Sequence, residues 1–128
     1  MPLIRIKSLP FAQEVSIPAA LGVLSKTLAE TSEIDLKHVM VTWDYLPPHH
    51  YAHNGRVVDC QPDRTHPLLV HLVAPNFNTE EQVATMLEVI ADTLADILPV
   101  AKENIFINFS PAYSDGIYDA GHVVEWDD

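Results

Sequence analysis

Residues 1–7, Met1-Pro2-Leu3-Ile4-Arg5-Ile6-Lys7, decide the fold that the rest of the chain must complete. Ile4 and Ile6 fall on one face and Leu3, Arg5 and Lys7 on the other, and this period of two predicts a β-strand. Pro2 stands at the first residue of the strand, where proline is tolerated. Removal of Met1 would make Pro2 a secondary amine on a rigid ring, a group that can act as a general base or nucleophile. The alternative is a proline that only opens an edge strand.

Length and composition predict one globular domain over residues 1–128. No apolar run is long enough to span a bilayer, and the strand pattern at the start does not resemble a secretory signal. The net charge of −11 argues against nucleic acid and anionic membranes as partners. Because Cys60 is the only cysteine, no internal disulfide can form, and a reducing, cytoplasmic location is expected.

The first half of the chain continues with a helix and a second strand. Ser16 is the expected N-cap, Pro18 lies in the first turn, and the helix is expected to end near Thr31. Residues 38–45 alternate again, which predicts a strand with one face formed by Val39, Val41, Trp43 and Tyr45. After a turn at Asn54-Gly55, residues 56–59 are expected to form a short edge strand.

The second half repeats this order. Residues 67–73 are almost continuously apolar and predict a strand buried on both faces. Asn78, with Glu81 three residues later, indicates a capped helix that Pro99 ends. Residues 105–109 predict another strand, and residues 122–126 a short last one. Residues 2–59 and 67–126 are therefore expected to be internal repeats, with strands and turns offset by 65 to 66 residues.

Two strand–helix–strand units predict an α+β fold: a four-stranded mixed sheet, two helices on one face, and short edge strands. This chain supplies no cover for the other face of the sheet. Trp43, Tyr45 and residues 68–73 are expected to make that face too apolar to remain in water. Copies of the same chain are the expected cover.

A duplicated β-α-β unit with proline directly after Met1 resembles the tautomerase superfamily. The likeness is carried by Pro2-Leu3-Ile4-Arg5-Ile6, by Val70-His71-Leu72 and by Ile105-Phe106-Ile107-Asn108-Phe109. The layout is most similar to macrophage migration inhibitory factor and 5-carboxymethyl-2-hydroxymuconate isomerase. The resemblance implies a homotrimer with inward-facing sheets and pockets at its interfaces. It also implies a proline amine that moves protons on a small keto or enol acid without a cofactor.

Carried onto this sequence, the resemblance makes Pro2 the catalytic base and Phe106 and Asn108 pocket residues. The cytokine branch has a tyrosine at the position of Phe106, so one hydroxyl donor is missing here. The dehalogenase and decarboxylase branches carry carboxylate-binding arginines at the start of the second helix, and residues 76–81 contain none. Glu33 lies near the place where the cytokine branch has a lysine.

An enolate formed by such a base needs a donor or cation nearby. Arg5 and Lys7 lie on the strand of Pro2 and are the first candidates, with cross-strand salt bridges as their alternative role. Further candidates for binding the substrate or lining a pocket are Arg56, Arg64, Tyr113, Tyr118 and Trp126.

Two rival functions remain open on the sequence alone. The first is a trimeric binding or structural protein that keeps the fold without the chemistry. The second is a metal-binding protein that uses His49, His50 and His53, since three imidazoles in five residues can bind zinc or nickel. Because the stretch lacks helical spacing and an evident second shell of carboxylates, solvated loop histidines are favoured, and no metal is expected.

Overall fold

The computed structural model describes residues 1–126. Two β-α-β units share one sheet, and both helices pack on the same face of it. The elements in chain order are β1 (Leu3–Ser8), α1 (Ile17–Thr31), β2 (Met40–Tyr45), β3 (Ala52–His53), β4 (Arg56–Val57), β5 (Leu68–Pro75), α2 (Glu80–Ile97), β6 (Ile105–Ala112), β7 (Tyr118–Asp119) and β8 (His122–Val123). Short 3-10 helices at Leu36–His38 and Lys102–Asn104 lead into β2 and β6.

The strand order is β2-β1-β5-β6. β1 is parallel to β2 and β5 is parallel to β6, whereas the central pair β1 and β5 is antiparallel. The same pairing recurs in the two units, since Leu3 is opposite Met40 and Leu68 is opposite Ile105. Each unit then ends in a short antiparallel hairpin, β3–β4 or β7–β8. The predicted α+β fold with a duplicated β-α-β unit and a mixed sheet is confirmed.

Both helices begin with a side-chain cap. The Ser16 hydroxyl accepts from the backbone N–H of Ala19, as predicted. At α2 the cap is Thr79 instead of Asn78, and Thr79 and Gln82 form a reciprocal capping box. The Asn78 side chain donates instead to the Pro75 carbonyl and closes the turn after β5. Neither helix of the described chain combines the length and apolarity needed to cross a membrane.

The core lies between the sheet and the two helices. Alternate residues of β1 and β5 face it, and α1 and α2 cover them with apolar stripes of helical spacing. The largest fully buried members of this core are Ile4, Ile6, Leu24, Leu28, Leu68, Leu72, Met86, Ile90 and Leu94. Burial of such a side chain stabilises the fold by about 1.5–3 kcal/mol. The core thus fixes the direction of β1 and the position of the residue that precedes it.

The other face of the sheet, which we call the open sheet face, is less apolar than the sequence suggested. Ile6 is opposite Trp43 in the register, and paired residues share a face, so Trp43 points toward the helices. Its indole N–H donates to the buried hydroxyl of Ser8 at 3.1 Å. Tyr45 follows the same parity, and its ring lies 6.4 Å from that of Phe11. The expectation that Trp43 and Tyr45 cover the open sheet face is therefore wrong.

Strand β5 also differs from the prediction of burial on both faces. Its residues alternate between buried and half-buried, with Leu69, His71 and Val73 half-buried on the open sheet face. In register with them lie Arg5, Lys7, Phe106 and Asn108. The open sheet face therefore mixes apolar and polar side chains, and the single chain leaves it uncovered.

Candidate active site at the start of the first strand

A cleft of about 410 Å³ opens at the N-terminal end of β1, and we call it the Pro2 cleft. Pro2 lies in it with less than 2% of its surface exposed. Its carbonyl accepts from the backbone N–H of Met40 at 3.0 Å, which ties the residue to the start of β2. The other lining residues are Met1, Glu33, Ile34, Asp35, His38, Ala74, Pro75, Phe77, Asn78, Met86, Ile117, Asp119, Val124 and Trp126.

The C-terminal hairpin β7–β8 and the segment after it form one wall of the cleft. The indole N–H of Trp126 donates to the Asn76 side-chain oxygen at 2.8 Å. The ring of Trp126 packs edge-on against that of Phe77, with centroids 5.6 Å apart. The Trp126 backbone N–H donates to the hydroxyl of Ser114. These contacts hold an aromatic wall beside the first residues of the chain.

The ionisable side chains that line the Pro2 cleft are three carboxylates and an imidazole: Glu33, Asp35, Asp119 and His38. Its described lining contains neither lysine nor arginine. The Asp35 carboxylate caps the following 3-10 helix and makes an exposed, 3.9 Å contact with Lys37. The Asp119 carboxylate accepts from the backbone N–H of Ala120 at 2.9 Å.

The terminal amine of Met1 reports on the environment of this cleft. Burial disfavours the ammonium form and lowers the pKa of the Met1 amine below its usual value of 8.0. The carboxylate of Asp119 acts in the opposite sense and raises that pKa in part. An amine in this place is therefore neutral more readily than an amine in water.

Glu33 lies in the turn that ends α1 and has a positive φ of 54°. The turn is closed by the backbone N–H of Ile34, which donates to the Ala29 carbonyl at 2.9 Å. Glycine is the usual residue at this left-handed position after a helix, because a side chain is disfavoured there. The chain instead has a glutamate, whose carboxylate group belongs to the cleft lining.

Four of the residues expected to bind substrate lie together but away from the Pro2 cleft. Arg5, Lys7, Phe106 and Asn108 surround a second hollow of about 310 Å³ on the open sheet face. The parity of β1 explains the separation, since Ile4 faces the helices and Arg5 faces the opposite way. Within one chain, these side chains and Pro2 are therefore on different surfaces.

The remaining candidates do not line the cleft either, except Trp126. Arg56 lies in β4, where its carbonyl is 2.8 Å from Nε2 of the buried His66. Tyr113 and Tyr118 are 60% and 73% exposed. Arg64 is in an exposed contact with Glu103. The residues that sequence reasoning missed are Phe77, Asp35, Asp119 and His38, and no pattern in the sequence singles them out.

The histidine-rich loop does not form the metal site of the rival hypothesis. Among residues 1–126, no group of three or more His, Cys, Asp or Glu side chains could hold a metal ion. The ring of His53 packs edge-on against that of His66, with centroids 5.6 Å apart. His49 has a positive φ of 67° and donates its backbone N–H to the Val58 carbonyl. The loop histidines therefore help to shape the β3–β4 hairpin.

Comparison with solved structures finds similar folds at low sequence identity. The chain matches Pt0534 inactivated by 2-oxo-3-pentynoate with a TM-score of 0.76 and 17% identity, covering 96% of this chain and 94% of that one. It matches the symmetric trimer of a wild-type fused 4-OT with a TM-score of 0.80 and 13% identity, covering 95% and 94%. It matches macrophage migration inhibitory factor from Oncomelania hupensis with a TM-score of 0.75 and 13% identity, covering 97% and 82%. No protein-family model and no curated protein sequence matches the chain.

Proposed function

Because the chain has the tautomerase fold, we propose that it is a keto–enol tautomerase whose general base is the Pro2 amine after removal of Met1. The observation that carries the proposal is the position of Pro2. It is almost fully buried at the end of β1 and lines a cleft with the aromatic side chains of Phe77 and Trp126. A base in such a place works in a site that excludes much of the solvent.

The proposed chemistry needs a neutral amine near pH 7. Burial favours the neutral form, and the lowered pKa of the Met1 amine in the same cleft supports this. In enolisation, the Pro2 nitrogen takes a proton from the carbon next to a carbonyl, and the C–H electron pair forms the enolate. In ketonisation, the nitrogen takes the enol O–H proton and returns a proton to that carbon. With Met1 still attached, the nitrogen is an amide and cannot act as a base.

The oxyanion of the enolate needs a hydrogen-bond donor, and a homotrimer would supply one. Asn108 lies on the open sheet face, so it could serve only the cleft of a neighbouring copy. Two observations support a trimer with inward-facing sheets: one face of the sheet is uncovered, and the fused 4-OT in the comparison is a trimer. Phe106 and Asn108 would then complete the site across the interface.

The test uses protein whose Met1 removal has been verified by intact mass. The ketonisation of an arylpyruvate enol and of its methyl ester is followed by the loss of enol absorbance. We expect Pro2→Ala, which leaves a primary and less constrained amine, to lower the rate by about 10²–10⁴-fold. The matched control is Pro67→Ala, the corresponding proline of the second repeat, which should leave the rate unchanged.

Two results would overturn the proposal. One is wild-type protein that shows no rate above buffer with either enol. The other is a Pro2→Ala protein as active as wild type. A folded, inactive trimer would favour the alternative of a binding or structural protein with the same fold.

A further inference from the structure

We propose that the Pro2 cleft selects ligands by positive charge: it prefers an aromatic carbonyl compound with an ammonium group, accepts an uncharged one less well, and disfavours a carboxylate. The word substrate in this inference rests on the proposed function, but the charge selectivity does not. It reverses the expectation of a keto or enol acid, and it follows from the residues that line the cleft.

The first observation is the sign of the charge. Glu33, Asp35 and Asp119 line the cleft, and its described lining contains no lysine or arginine. Lys37 partly offsets Asp35 through an exposed contact, whereas Glu33 and Asp119 take part in no ion pair among residues 1–126. A partly enclosed space strengthens the field of such carboxylates relative to open water.

The second observation is that an amine already occupies the cleft. The terminal nitrogen of Met1 lies close enough to Asp119 for its carboxylate to raise the pKa of that amine against the effect of burial. Removal of Met1 would vacate the space that this residue fills and leave the same carboxylate facing the cleft. The terminal ammonium therefore stands in for the charged group of a ligand.

The third observation is the aromatic wall. Phe77 and Trp126 both line the cleft, and their edge-on packing at 5.6 Å fixes their relative orientation. Aromatic faces attract cations as well as other arenes, and they do so most strongly where water is excluded. Carboxylates and aromatic rings together favour an ammonium group and offer a carboxylate no partner in the described lining.

Glu33 is the residue expected to contribute most to the selectivity. The positive φ of 54° makes glycine the favoured residue there, so the glutamate is placed against its backbone preference. Its carboxylate has no ion-pair partner among the described residues. A change at this position alters the charge of the cleft without removing any core contact.

The test measures binding, so that it does not depend on turnover. Three ligands of similar shape are titrated into Met1-free protein: 3-phenylpropylammonium, 3-phenylpropanol and 3-phenylpropionate. Binding is followed by fluorescence, and a Trp43→Phe background leaves Trp126 as the reporter inside the cleft. We expect the ammonium to bind tightest and the carboxylate at least about tenfold more weakly, a ratio that corresponds to about 1.4 kcal/mol.

Variants assign the effect to named residues. Glu33→Gln and Asp119→Asn should each reduce the preference for the ammonium, and Asp119→Asn keeps an oxygen for the Ala120 N–H. Glu33→Lys should reverse the order of the two charged ligands. The matched control is Glu30→Gln, an exposed glutamate of the last turn of α1 that does not line the cleft, and it should leave the order unchanged.

The inference fails if the carboxylate binds as tightly as the ammonium, or if none of the three ligands binds. It also fails if Arg5→Gln or Lys7→Gln abolishes carboxylate binding that exceeds ammonium binding, because selectivity would then come from a neighbouring copy. Failure of the proposed function is a separate result. Absence of ketonisation with the expected binding order would overturn the catalytic role of Pro2 and support the charge selectivity.

Discussion

Trp126 donates its indole N–H to the side-chain oxygen of Asn76 at 2.8 Å, across 50 residues of sequence. This bond fastens the end of the described chain to the segment that follows β5. Phe77 packs edge-on against the same indole ring, so one hydrogen bond and one ring contact position an entire wall of the Pro2 cleft. The site therefore depends on a long-range contact that no local sequence pattern specifies.

Trp126→Phe should weaken ligand binding more than it weakens the fold. The change removes the donor and keeps an aromatic ring, and a hydrogen bond of this kind contributes about 0.5–1.5 kcal/mol. Trp43→Phe is the matched control, because it removes a comparable bond from Trp43 to Ser8 away from the cleft. Denaturant unfolding should show similar losses for both variants, whereas isothermal titration with 3-phenylpropylammonium should show a loss of affinity only for Trp126→Phe. Equal loss of affinity in both would separate Trp126 from the site.

The rate of ketonisation by Met1-free protein should rise with pH through a pKa below 8.0. Only the neutral amine can accept a proton, so activity is lost as the pH falls and the amine becomes protonated. Burial lowers the pKa of the Met1 amine, and the Pro2 amine would lie in the same cleft. Asp119→Asn should move the rising limb to still lower pH, because it removes the carboxylate that favours the ammonium form. A limb above 8.0, or one that Asp119→Asn moves upward, would contradict the assignment.

Met1-bearing protein should show the corresponding effect on stability. The folded-state pKa of its amine is lowered, so the unfolded chain binds more protons between that pKa and 8.0. Folding is therefore penalised at low pH, and the penalty is lost as the pH rises toward 8.0. The difference in free energy of unfolding between Met1-bearing and N-terminally acetylated protein, measured by urea denaturation from pH 5 to 9, should shrink across that window. A difference that grows with pH would have the wrong sign.

The fold could be predicted because its signals are local and repeated. Alternation in residues 1–7 and 38–45 and helical spacing after Ser16 are set by side-chain burial against one shared core. The site could be predicted only at Pro2. Phe77, Asp119 and Trp126 meet through the crossover and the last hairpin, and their sequence separation hides the juxtaposition. The error at Trp43 has the same origin, because the face of β2 is fixed by its register with β1.

Glu33→Gly should stabilise the fold. Glu33 has a left-handed backbone, which is unfavourable for a residue with a side chain by roughly 1 kcal/mol relative to glycine. The free energy of unfolding, measured in urea, should therefore rise by up to about that amount. The same variant should lose preference for the ammonium ligand. Glu30→Gly is the control, since glycine within a helix destabilises by about 0.5–1 kcal/mol. A less stable Glu33→Gly protein would show that its side chain makes contacts that outweigh the backbone preference.

The uncovered sheet face leads to the last prediction, on assembly. Phe106 is 56% exposed there, beside half-buried Leu69, and such a surface is expected to be covered by other copies of the chain. Light scattering should give three times the chain mass of 14.3 kDa at micromolar concentration. Phe106→Glu should dissociate the trimer, because it places a charge in the interface without a partner of opposite sign. Val23→Glu changes an apolar residue of similar exposure on α1 and should leave the mass unchanged. A stable wild-type monomer would remove the composite site with Asn108, and Pro2 would then have to act with the residues of its own chain.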